Sequence, residues 1–68
     1  MIKVPDKEIL WVQFLKAGVV THVITSDLHR EMYYLYKVDS NGNLKKTKWQ
    51  SKEPTPLHDR VRKEIEKD

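Results

Sequence analysis

The sequence predicts one small α+β domain over residues 1–68: an opening helix, a three-stranded antiparallel sheet and a C-terminal helix. The alternative is four strands and a C-terminal helix. Three observations carry this. Residues 19–25 and 31–38 are rich in β-branched and aromatic side chains. Asp39-Ser40-Asn41-Gly42-Asn43 is a turn sequence between two such runs. Leu57, Val61 and Ile65 recur every four residues behind Thr55-Pro56.

The segment Asp6 to Ala17 can be read two ways. Asp6 suits a helix N-cap, Lys7, Glu8, Leu10, Gln13 and Leu15 favour helix, and Gly18 stands where a terminal glycine belongs. The run Ile-Leu-Trp-Val at 9–12 suits a buried strand instead. The start and stop signals favour the helix. Val19 to Thr25 reads as a strand, because every residue in it except His22 is β-branched. Glu31 to Val38 follows as a strand carrying Tyr33, Tyr34 and Tyr36. Asp39 suits the first position of a type I turn, and Gly42 can take the left-handed conformation after it. A three-residue hairpin loop with a bulge results. Leu44 to Gln50 then pairs back, with Val38 opposite Leu44 and Tyr33 opposite Trp49. Thr55 caps the last helix, with Pro56 in its first turn. Asp59 with Lys63, Arg60 with Glu64 and Arg62 with Glu66 make oppositely charged pairs one turn apart.

Alternation places Val20, His22, Ile24, Tyr34, Tyr36, Val38, Leu44, Lys46 and Lys48 on one sheet face. Val23, Tyr33, Leu35, Lys37, Lys45 and Trp49 fall on the other. Both faces are partly apolar, more than two short helices cover, so a homodimer is expected.

Composition excludes much chemistry. With no cysteine there is no disulfide framework, zinc ribbon or thiol nucleophile. Gly18 and Gly42 are the only glycines, so no glycine-rich phosphate loop exists. No histidine pair has metal-ligand spacing. No cofactor and no metal are expected. The longest apolar run, Ile9 to Val12, is far short of the roughly 20 residues that span a bilayer. A cytoplasmic protein without a membrane partner is expected.

The net charge of +3 is unevenly placed. Residues 1–36 sum to zero, residues 37–52 carry +4, and residues 53–68 carry −1. Lys37, Lys45, Lys46 and Lys48 therefore form a basic hairpin beside Tyr33, Tyr34, Tyr36 and Trp49. Bases interleaved with aromatics on a sheet suit single-stranded nucleic acid: lysines for phosphate, rings for bases. A solvated rim around a tyrosine-rich core has the same composition. The function expected is a small non-enzymatic binding module acting through its sheet or this hairpin, on a protein or on nucleic-acid phosphate. The candidate nucleic-acid-binding residues are Lys37, Lys45, Lys46, Lys48, Tyr34 and Tyr36.

Of the three histidines, His22 reads as a packed sheet residue and His58 as surface. His29, in the turn before the tyrosine strand, is the one candidate general base. A helix, an antiparallel sheet and a second helix in this order are similar to double-stranded-RNA-binding domains and to HicA-type mRNA interferase toxins. His29 stands eleven residues after Gly18, roughly where such a toxin's catalytic histidine would fall. The resemblance implies an alternative function, a HicA-like ribonuclease using His29 as general base. The sequence departs from that pattern before the histidine, where Asp27-Leu28 replaces a glycine. It also departs from the RNA-binding domains' lysine-rich helix entry, which here is Thr55-Pro56-Leu57-His58.

Overall fold

A computed structural model describes residues 3–66 of the chain. The fold is a four-stranded antiparallel meander with one helix. It comprises β1 (Glu8–Lys16), β2 (Val19–Asp27), β3 (Tyr33–Val38), β4 (Leu44–Ser51) and α1 (Thr55–Glu66), with the strands side by side in chain order. The expected opening helix is thus a strand, and the four-strand alternative is the fold.

The reason lies at the two ends of β1. Asp6 does not cap a helix: it sits in a turn in which the Pro5 carbonyl accepts the Glu8 N–H at 3.0 Å. Ala17 and Gly18 have φ of 53° and 80°. Two consecutive positive values make a mirror-image turn, which joins twisted strands directly. Gly18 is a hairpin glycine. Between these turns, Ile9, Trp11, Val12 and Phe14 bring strand propensity, and β2 supplies the ladder. The pairing is irregular between Leu10 and Val12 and between Phe14 and Leu15. The first irregularity takes Trp11 out of alternation, which is why the segment does not read as a plain strand.

The β2–β3 loop is built around Asp27. Its carboxylate Oδ1 accepts the N–H groups of Glu31 and Met32 at 2.6 and 3.2 Å. Arg30 completes the turn with φ of 57°, and its N–H donates to the Asp27 carbonyl at 3.1 Å. The β3–β4 loop has the expected form. The Gly42 N–H donates to the Asp39 carbonyl and the Asp39 N–H to the Asn43 carbonyl, both at 3.0 Å, and Gly42 has φ of 84°.

Val38 faces Leu44 as expected, but Tyr33 faces Ser51 rather than Trp49. A bulge in β4 opposite Leu35 takes up the difference. There the Thr47 hydroxyl donates to the Leu35 carbonyl at 2.8 Å and accepts the Trp49 N–H at 3.1 Å. A side chain replaces part of the ladder, which no alternation pattern reveals.

The Pro54 carbonyl accepts the N–H groups of Leu57 and His58 at 3.0 Å, so Pro54 rather than Thr55 holds the cap position of α1. The apolar stripe packs as its spacing implies. Leu57 and Val61 are buried against Ile24, Tyr33 and Leu35, with Val12, Phe14 and Ile65 around them. β2 and β3 pair Ile24 with Leu35 and Val23 with Tyr36. Ile24 therefore shares a face with Leu35, not with Tyr36, and the faces expected from alternation were joined out of phase across the 27–32 loop. With β1 in place of a first helix, the element order on which the likeness to double-stranded-RNA-binding domains and HicA-type toxins rested is absent.

Candidate functional site

The two faces of the sheet differ. α1 covers one, and among the described residues no element covers the other. At the centre of the open face, Val23, Thr25 and Tyr36 are nonetheless buried. Glu8 organises this centre: its Oε1 accepts the Thr25 hydroxyl at 2.6 Å and the Tyr36 hydroxyl at 2.8 Å. Burial first, then the Glu8 carboxylate, pushes the Tyr36 phenol well above its ordinary value. Tyr36 is therefore a structural ring with its hydroxyl engaged, not an open stacking surface. Tyr34 is half-buried, and the Lys46 ammonium lies 4.9 Å from its ring centre. The centre of the open face is buried within one chain, and Leu10, opposite Thr25, is exposed beside it. Leu15 and Val19 are exposed at the end of the β1–β2 hairpin, and Leu28 in the 27–32 loop.

The candidate lysines divide between the faces. Lys46 stands on the open face with Tyr34 and Tyr36. Lys37 and Lys45 face each other in register on the other side. Lys37 Nζ reaches Glu64 Oε2 of α1 at 3.9 Å. Lys48 lies 5.4 Å from the ring centre of Trp49. The helix side thus gathers Lys37 and Lys45 with the bases of α1.

Trp49 is the focus of that side. Its ring is 37% exposed, and the Arg60 guanidinium carbon lies 4.6 Å from its centre. A groove of about 470 Å³ opens beside it between β4 and α1, lined by Trp49, Gln50, Asp59, Arg60 and Lys63 among others. The chain places this ring through the β4 bulge. Arg60 is held from behind, its Nε 3.4 Å from Glu64 Oε1. That contact is an ion pair without a hydrogen bond, and a guanidinium beside a ring can still offer its terminal N–H groups to a phosphate. Sequence reading missed Arg60 and Lys63 because they read as partners of their own helix neighbours. Of the expected pairs, Arg60–Glu64 does form an ion pair.

Glu64 also ties α1 to the sheet. Its Oε2 meets His22 Nε2 at 2.7 Å, and His22 Nδ1 meets the Thr21 hydroxyl at 2.9 Å. The acid, imidazole and hydroxyl lie in a row, but His22 is only 7% exposed, so no substrate reaches it. The cluster anchors α1. His58 is half-buried rather than free, its ring edge-on to Phe14 at 5.1 Å. His29 is exposed in the 27–32 loop, and among the described residues it makes no side-chain hydrogen bond or ion pair. No group of metal-binding side chains occurs among the described residues. Nor is any helix among them long and apolar enough to cross a membrane.

No protein-family model, curated protein or solved structure matches the chain.

Proposed function

We propose that the domain is a non-enzymatic binding module for single-stranded nucleic acid, and that it binds on its helix side. One observation supports this above others: Trp49 is an exposed ring flanked by Arg60 and Lys48, on a groove whose far wall carries Lys63. A base stacks on such a ring whatever its identity, and the flanking cations take the phosphates on either side of it. Lys45 extends the basic surface along β4. Lys46, Tyr34 and Tyr36 belong to the other face and take no part.

The test is fluorescence anisotropy of a labelled single-stranded oligonucleotide at low salt. Wild-type protein should bind. A Lys48→Glu/Lys63→Glu double variant should lose about tenfold or more in affinity, while Lys46→Glu binds as wild type. Equal binding by wild type and double variant overturns the proposal. Absence of wild-type binding does so too, and then the exposed Leu15 and Val19 of the β1–β2 hairpin favour a protein partner. Shortening of an RNA probe that His29→Ala abolishes would make the domain a ribonuclease instead.

A further inference from the structure

Resting on that nucleic-acid reading, we infer a second base-stacking subsite at Trp11, on the opposite flank of α1. One single strand would then cross the first half of the helix from Trp49 to Trp11.

Trp11 and Trp49 are the only tryptophans in the chain, and they stand on the two edge strands, β1 and β4. Each lies at a break in the strand ladder, and each has an arginine against its ring. For Trp11 that residue is Arg30, with its guanidinium carbon 5.6 Å from the ring centre. Two departures from regular backbone converge on this ring. The β1 irregularity turns Trp11 toward the helix side, where its ring meets Tyr33 edge-on at 5.3 Å. Arg30, with φ of 57°, holds a left-handed conformation uncommon for its type. Conformations of that kind persist where the surroundings impose them and gather at binding sites.

The surroundings match those of Trp49. Trp11 is 40% exposed and lines a groove of about 380 Å³ with Pro54, Thr55, His58, Asp59 and Arg62. Asp59 lines this groove and the Trp49 groove alike, so it stands between the two. Asp59 repels phosphate at that crest. Cations wait on both sides of it, Arg62 and Arg30 toward Trp11, Arg60 and Lys63 toward Trp49. The arrangement suits a flexible single strand with a base on each ring, and does not suit a duplex, whose bases stay stacked.

The two tryptophans permit a direct test. Trp11→Phe leaves Trp49 as the single indole, and Trp49→Phe leaves Trp11, with phenylalanine keeping a stacking ring in place. Each variant is titrated with oligothymidylate of about four and about twelve residues, lengths at the lower end and toward the upper end of common single-strand sites. Trp49 emission should respond to both lengths. Trp11 emission should respond to the longer one at the same protein concentration. Wild type should bind the longer strand at least about tenfold more tightly than the shorter, and Trp11→Ala should lose that gain. A response at Trp49 with none at Trp11 overturns the second subsite and leaves the nucleic-acid reading standing. An unresponsive Trp49 at both lengths overturns the nucleic-acid reading itself. A response at Trp11 without any gain in affinity for the longer strand overturns the single path across the helix.

Discussion

Ala17 and Gly42 both sit in left-handed turn conformations, and substitution should move stability in opposite directions at the two. Gly42 has φ of 84° with nothing within 4 Å of where a Cβ would stand, so the penalty for a larger residue is backbone strain and not a clash. Gly42→Val should cost about 1–2 kcal/mol. In a domain of this size that is a fall of about 4–8 °C in Tm per kcal/mol. Ala17 already bears such strain at φ of 53°. Ala17→Asn should relieve it and raise stability by about 0.5–1 kcal/mol, because asparagine tolerates this region. Thermal unfolding of both variants checks the pair, and an unchanged Tm for Gly42→Val would contradict the loop geometry. Asp39 adds a pH effect. Its carboxylate accepts the N–H groups of Asn43 and Asn41, each at 2.9 Å, and these bonds, Asn43's foremost, hold its pKa below the ordinary 3.8. A carboxylate lowered in the folded state binds its proton more readily when unfolded. Its contribution is therefore present above pH 3.8 and is lost as pH falls below that value toward the folded one. Asp39→Asn should flatten that part of the acid unfolding curve. A slope identical to wild type would show that the turn bonds do not depend on charge.

α1 and β1 are held in different ways, and each gives a prediction. α1 depends on Leu57 and Val61, which are 2% and 0% exposed. Leu57→Ala removes the centre of the core cluster and should cost about 2–5 kcal/mol. That is a large share of the total stability of so small a domain. A loss under about 1 kcal/mol by denaturant titration would mean that the helix is not docked as described. β1 is clipped across the open face by Glu8. Tyr36→Phe leaves that carboxylate one partner short and should cost about 1 kcal/mol. Because the Tyr36 phenol is raised above its ordinary 10.0, ionising it is resisted by the fold. Wild type should lose stability as pH climbs above 10.0, and Tyr36→Phe should lack that loss. These two elements also differ in how far the sequence reveals them. α1, β2 and the 39–43 loop follow from spacing and turn chemistry that act within a few residues. β1 was misread because Asp6, Gly18 and a run of helix formers satisfy local helix rules. The pairing with β2 that overrides them lies beyond any local window. The candidate site was half legible for the same reason. The lysines and tyrosines stood out by composition. Their assignment to faces needed the β2–β3 phase and the β4 bulge, and Arg60 was hidden in a helix salt bridge.

Charge and shape together support the proposed nucleic-acid binding. The basic excess of residues 37–52 is divided between the two faces, with Lys46 on the open one. The register puts Lys37 and Lys45 on the helix side with Arg60 and Lys63, and Lys48 lies beside Trp49. Contacts from about three or four of these cations to a single strand predict a log–log salt slope near −2 to −3. A slope near zero would exclude phosphate contact. On the open face the Tyr36 hydroxyl is engaged by Glu8. The central proposal is therefore about sides: we propose that ligand binds where α1 meets the sheet, between β4 and the helix. Amide and indole chemical-shift mapping of labelled protein, titrated with a single-stranded oligonucleotide, tests it most directly. The Trp49 indole N–H and the amides of Gln50, Arg60 and Lys63 should shift together, while those of Leu10, Tyr34 and Lys46 stay in place. Shifts centred on Tyr34 and Lys46 with Trp49 unmoved would contradict the account.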